Sequence, residues 1–114
     1  MNPKILIQKM IKGKIELVIG SRNDPQFGQV LMFGIGGTLV ELFKDIAFRV
    51  LPIDKAEALE FIKDIKGHKL LTGFRDISAV NLNNLADLLV IVGQMLFENP
   101  QILEMDLNPL MAFA

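Results

Sequence analysis

Apolar and polar positions divide this 114-residue chain into two regimes. Up to Leu51 the apolar residues come in short runs broken by turn formers. Residues 4–11 and 14–19 read as two strands joined through Ile11-Lys12-Gly13-Lys14. Glu16 interrupts Ile15 and Leu17, so its side chain is expected to face away from a buried side. Ser21-Arg22-Asn23-Asp24-Pro25 forms a turn cluster. Residues 29–33 then read as a third strand, 38–43 as a fourth and 46–51 as a fifth. Short connections between them predict an antiparallel meander.

After Leu51 the period changes. Asp54 precedes Lys55-Ala56-Glu57 in a capping-box-like arrangement, with Glu at the third helical position. Ala58, Phe61, Ile62 and Ile65 recur at i, i+3, i+4 and i+7 and make one apolar helical stripe. Gly67 is placed to end that helix, and residues 68–75 have room for a short helical turn. Asn81 or Asn83 can cap a second helix, whose stripe is Leu85, Leu88, Leu89, Val92 and Leu96. Asn99-Pro100 stops it. The predicted class is α+β, a mainly antiparallel sheet with two principal helices on one face.

Residues 102–111 close the pattern as a strand. Leu103, Met105 and Leu107 fall on one face, Glu104, Asp106 and Asn108 on the other. Pro109 cannot donate to a ladder, so regular pairing should stop or break there. Two readings stand side by side. The spacing suits a half-exposed strand closing in an Asn-Pro turn, and the oxygens of Asp106 and Asn108 suit a hard cation such as magnesium, which shares its ligands with phosphates.

Composition narrows the partners. Hydrophobic residues make up 51% of the chain, and the net charge is −1 with no Lys/Arg run, so no nucleic-acid-binding surface is expected. There is no cysteine, which excludes disulfides and thiolate metal sites. No signal-peptide pattern is evident, and the longest apolar segment falls far below the ~20 residues that span a bilayer. A cytoplasmic location without membrane contact is the expectation. High apolar content points to surface that meets a partner or a neighbouring domain.

Single residues declare no reaction, and no catalytic residue is assigned. Gly34-Ile35-Gly36-Gly37 is flanked by strands rather than by a helix N-terminus, so a hairpin turn is expected there and not a phosphate loop. His68 is expected as a solvated helix-terminal residue, Arg49 and Arg75 as ion-pairing groups, and Glu41 at a solvent-facing edge.

Order and spacing say more. Ile5-Leu6-Ile7-Gln8-Lys9-Met10, Glu16-Leu17-Val18-Ile19-Gly20 and Asp24-Pro25-Gln26-Phe27-Gly28 are followed by Met32-Phe33-Gly34-Ile35-Gly36-Gly37-Thr38-Leu39-Val40-Glu41 with Lys44-Asp45. Leu70-Leu71-Thr72-Gly73-Phe74-Arg75 and Glu104-Met105-Asp106-Leu107-Asn108-Pro109-Leu110 complete the series. With these landmarks the chain resembles the C-terminal lobe of an ATP-grasp domain of the kind found in ADP-forming acetyl-CoA synthetases (acetate–CoA ligases). Succinyl-CoA synthetase β chains are more distantly similar.

The resemblance implies that residues 1–114 form a single partial ATP-grasp domain, from a hinge strand through a metal-binding strand. It implies Mg2+ and ATP/ADP as cofactors. Gln8, Lys9, Met10 and Ile11 would be the hinge whose backbone meets the adenine, and Glu16 would supply a carboxylate to the ribose. Asn108 would be a magnesium ligand, with Asp106 beside it facing the phosphoryl-transfer site. The implied reaction interconverts acyl-CoA, ADP and phosphate with free acid, CoA and ATP through an acyl phosphate and a phosphohistidine. Implied partners are the remaining ATP-grasp lobe and a CoA-binding subunit or domain.

Some features depart from the pattern. Asp76 stands where many relatives have Gly, and no segment matches a phosphohistidine loop. The preceding lobe and a second acidic metal ligand are also unmatched. The chain alone is therefore expected not to turn over. The alternative expectation is a non-catalytic assembly or dimerisation module, a homo-oligomer built from the same fold.

Overall fold

Alternation along β1 (Ile15–Asp24) sets the two sides of the sheet. Ile15, Leu17 and Ile19 are buried against the helices, whereas Glu16 is exposed on the other side. The computed structural model describes residues 3–10, 15–36, 45–73 and 79–113. β2 (Gly28–Ile35), β3 (Ile46–Val50) and β4 (Glu104–Ala112) join β1 in one antiparallel sheet of order β3-β2-β1-β4. β1 is thus central, and β4, the last strand in the chain, lies beside the first.

Asp54 caps α1 (Lys55–Lys63), accepting from the Glu57 backbone N–H at 2.8 Å. The stripe of Ala58, Phe61 and Ile62 is buried, and Phe61 meets Phe33 of β2 edge-on at 5.9 Å between ring centroids. Arg49 of β3 lies over the Phe61 ring, 5.1 Å from its centroid, and pairs with Asp64 at the end of α1. A short α2 (His68–Leu71) follows, with His68 Nδ1 3.1 Å from the Ile65 carbonyl oxygen. Asn81 caps α3 (Leu82–Glu98), accepting from Asn84 N–H at 3.1 Å. Leu85, Leu89, Val92 and Leu96 carry its buried stripe, with Leu88 partly buried at its margin. Among the described residues no helix is long and apolar enough to cross a membrane.

Several expectations are corrected. Residues 4–10 do not form a strand: residues 3–10 have no regular structure, and Ile5, Leu6, Ile7 and Met10 are 79–90% exposed. A strand exists only where another strand pairs with it, and both edges of β1 are taken by β2 and β4. The turn cluster begins later than expected, because β1 runs through Ser21 to Asp24. Asp24 Oδ1 then accepts from Gln26 and Phe27 N–H, and Gly28 supplies the positive φ of 78°. Gly34 lies inside β2, so a turn starting there is also displaced. α1 ends at Lys63 rather than at Gly67, whose N–H instead donates to Asp45 Oδ2 at 2.7 Å. The loop at residues 11–14, the strand at 38–43, Glu41, Arg75 and Asp76 lie outside the described residues.

Pro109 breaks pairing without ending it. Leu107 stands opposite Ile19 and Leu110 opposite Leu17, so Asn108 and Pro109 together face Val18. This is a β-bulge, one extra residue on β4. Pairing then resumes to Ala112 opposite Ile15, where Leu110 and Ala112 return to the core side. Leu103 and Leu107 are not packed on a core as expected. They are 69% and 38% exposed, because among the described residues β4 is an edge strand.

Candidate functional site

Residues opposite one another in paired strands point to the same side of the sheet. Glu16, Val18, Gly20 and Arg22 of β1 therefore share the side away from the helices with Val30, Met32 and Gly34 of β2. Phe48 of β3 joins them opposite Met32, and Asp106 of β4 opposite Gly20. Val18 is buried but lies outside the helix-side core cluster, as this parity requires.

A cleft of about 220 Å³ opens on this side, lined by Gly20, Arg22, Val30, Met32, Phe48 and Asp106. Gly20 forms its floor, since a Cβ there would come within 3.0 Å of the Met32 methyl. Met32 and Phe48 give the cleft apolar walls, while Asp106 and Arg22 supply charge at its rim. Such a combination suits a ligand with a flat apolar part and a polar part.

The predicted site residues fall into two groups. Glu16 and Asp106 are brought to the same side, both exposed. Glu16 and Gly20 are four residues apart, which separates the two carboxylates by roughly 13 Å along the strand. They are too distant to hold one ion and well spaced to flank an extended ligand. Asn108 is exposed at the bulge, opposite outward-facing Val18, and its side chain makes no hydrogen bond among the described residues. Gln8, Lys9 and Met10 are exposed and make no backbone hydrogen bond to the sheet among the described residues, and Ile11 lies outside them.

Magnesium fits the donors present. Among the described residues no three His, Cys, Asp or Glu side chains gather in a metal cage. Asp106 and Asn108 offer two exposed oxygen donors, the number with which magnesium commonly binds when phosphates and water complete its shell. Sequence reasoning did not find the Met32–Phe48 walls. The signal was the parity of β2 and β3, readable only once their register was known.

The sheet, its helices on one side and the polar bulged strand define an α+β domain of ATP-grasp type. The chain belongs to the ATP-grasp domain family, which covers residues 2–114. It is 45% identical over 109 residues to the β subunit of acetate–CoA ligase [ADP-forming] I of Pyrococcus furiosus, covering 96% of this chain and 47% of that one. It is 43% identical over 109 residues to acetate–CoA ligase [ADP-forming] I of Archaeoglobus fulgidus, there covering 96% of this chain but 16% of the relative. The chain thus spans about half the length of the separate β subunit, and a smaller share of the longer ligase.

Among solved structures it is similar to the dinucleotide-forming acetyl-coenzyme A synthetase 1 of Ca. Korarchaeum cryptofilum. In the apo form the TM-score is 0.87 at 46% identity, over 93% of this chain and 50% of that one. A second structure of that protein is in complex with coenzyme A and Mg-AMPPCP, its phosphohistidine segment pointing towards the nucleotide binding site. The TM-score there is 0.85 at 47% identity, over 91% of this chain and 48% of that one.

Proposed function

We propose that this chain supplies nucleotide- and magnesium-binding groups to an ADP-forming acyl-CoA synthetase, which couples acid, CoA and ATP to acyl-CoA, ADP and phosphate through a phosphohistidine. The observation that carries this reading is the placement of Glu16 and Asp106 on one side of the sheet, with the Met32–Phe48 cleft beside Asp106. Membership of the ATP-grasp family and the Mg-AMPPCP bound to a relative support it.

In this reading Glu16 accepts from the ribose hydroxyls, and the backbone of Gln8, Lys9, Met10 and Ile11 meets the adenine edge. Asp106 and Asn108 hold magnesium against the phosphates. The metal, when bound, supplies charge neutralisation for the transferring phosphoryl group. The work of the protein is to position these groups, for which a rigid sheet is better suited than a loop. Acyl and CoA recognition, the phosphohistidine and the other ATP-grasp lobe are assigned to other parts of the synthetase. By itself the chain binds and does not turn over.

Titrating the chain with ADP in the presence and absence of Mg2+ tests the proposal. Mg-dependent binding that is lost in Asn108→Ala and weakened in Asp106→Asn is expected. Both side chains are exposed and away from the core, so neither variant should shift unfolding by more than about 0.5 kcal/mol. No binding, or binding indifferent to both variants, overturns the assignment.

A further inference from the structure

Gly20 is the centre of a small lattice on the side of the sheet away from the helices. Asp106 of β4 and Met32 of β2 stand opposite it, and Arg22 follows two residues on, opposite Glu104 and Val30. Arg22 lines the same cleft as Asp106. The nucleotide reading uses Glu16, Asp106 and Asn108 and leaves this guanidinium without a task. We propose that Arg22 binds the terminal phosphate of a nucleoside triphosphate, so that the chain selects triphosphate over diphosphate. The inference rests on the nucleotide reading and adds one group to that site.

Order along the sheet carries the argument. The outward positions of β1 run Glu16, Val18, Gly20 and Arg22, each step advancing roughly 7 Å. Asn108 stands beside Val18 and Asp106 beside Gly20. A nucleotide with its ribose at Glu16 and its metal-bound phosphates at Asn108 and Asp106 therefore points its free end at Arg22. Each added phosphate brings that end closer to the guanidinium, so a triphosphate gains a contact that a diphosphate does not reach. Glu104, exposed across from Arg22, bounds the run, since its carboxylate repels a phosphate that passes the guanidinium.

Spacing and bonding suit the task. Arg22 and Asp106 are diagonal neighbours on adjacent strands, with backbones roughly 7–8 Å apart. Among the described residues no ion pair joins them. A magnesium-bound phosphate fits between carboxylate and guanidinium at that separation, with the metal on the carboxylate side. The Arg22 side chain is 69% exposed, and its nearest charged neighbour, Asp24 Oδ2, is 3.6 Å away, too far for a hydrogen bond. The other oxygen of Asp24 is taken by Gln26 and Phe27 N–H. The guanidinium donors are thus uncommitted among the described residues, and their planar fork matches two oxygens of one phosphate.

Titration with Mg-ADP and with Mg-AMPPCP, a non-hydrolysable triphosphate, tests the proposal. The unmodified chain is expected to bind Mg-AMPPCP more tightly. Arg22→Gln should weaken Mg-AMPPCP about tenfold, as loss of a charge-assisted phosphate contact does, and change Mg-ADP by less than about twofold. Asp24→Asn removes the neighbouring charge, keeps the guanidinium, and should retain the triphosphate preference. Arg22 is exposed, so its replacement leaves the fold in place. Equal affinity of the unmodified chain for the two nucleotides, an equal effect of Arg22→Gln on both, or the same lost preference in Asp24→Asn overturns the proposal and leaves the nucleotide reading standing. Failure of the unmodified chain to bind Mg-ADP at all overturns both.

Discussion

Gln29 of β2 donates from its side-chain Nε2 to the Ile102 carbonyl oxygen at 2.9 Å, reaching past β1 to the segment that leads into β4. Close by, Asn23 N–H donates to the Leu103 carbonyl oxygen at 2.9 Å. Together these bonds set where β4 starts, and so put Asp106 opposite Gly20. The other amide atom, Gln29 Oε1, is buried without a partner among the described residues. Gln29→Leu removes the bond to Ile102 and the orphan oxygen at once. A net loss of about 1 kcal/mol is expected, read as a lower urea midpoint at unchanged slope. An unchanged midpoint would show that the bond does not hold β4.

The contact of Phe33 with Phe61 ties the sheet to α1, and both side chains are fully buried. Truncating either to alanine removes apolar burial and leaves a cavity, at about 3–5 kcal/mol. That is a large part of the 5–15 kcal/mol that stabilises a typical domain. Either variant should unfold at markedly lower denaturant. The double variant should cost less than the sum of the singles, because the rings are in direct contact.

Asp24 gives the turn between β1 and β2 a sensitivity to acid. Hydrogen bonds from Gln26 N–H and then Phe27 N–H, with Arg22 adding attraction, hold its carboxyl below the ordinary carboxylate range. A carboxylate with a depressed folded-state pKa contributes its full stability above its unfolded value of about 3.9. That contribution is lost as pH falls through the lower folded-state pKa. Asp24→Asn should therefore flatten this part of the stability profile below about pH 4, with unfolding of the two proteins compared at each pH. Parallel profiles would contradict the assignment.

Two glycines on the same side of the sheet should respond differently to alanine. A Cβ on Gly34 would lie 2.7 Å from the Asp45 carbonyl oxygen and 2.6 Å from Ile46 Cγ2, both on the neighbouring strand and its lead-in. Gly34→Ala is expected to cost about 1–3 kcal/mol. At Gly20 the near neighbour is the mobile end of Met32, at 3.0 Å. Gly20→Ala should cost less than about 1 kcal/mol while narrowing the cleft. Thermal denaturation of the pair tests the order.

The helices were readable because their causes are local. Asp54 and Asn81 cap within three residues, and the stripes through Phe61 and Leu89 carry their own period. Class and family were readable from the order of the landmarks. Residues 4–10 misled for a physical reason. Their apolar content announces a need for cover, but whether they become a strand depends on a neighbour that no local pattern encodes. Asp106 and Asn108 were legible as polar positions opposite Leu107. Their relation to Glu16 was not, because it depends on the β1–β4 register between residues far apart in the chain, which long-range pairing sets.

The doubled position opposite Val18 lets two stretches of β4 with opposite residue parity share one face of the sheet. Before it, odd-numbered side chains of β4 look toward the helices; after it, Leu110 and Ala112 do. Deleting either Asn108 or Pro109 would restore plain alternation. One residue would then stand opposite Val18, with Leu107 still opposite Ile19 and Leu110 still opposite Leu17, so both stretches of the strand would keep their faces. What the extra residue adds is a second exposed position beside Asn108, at the point where the strand would otherwise offer one.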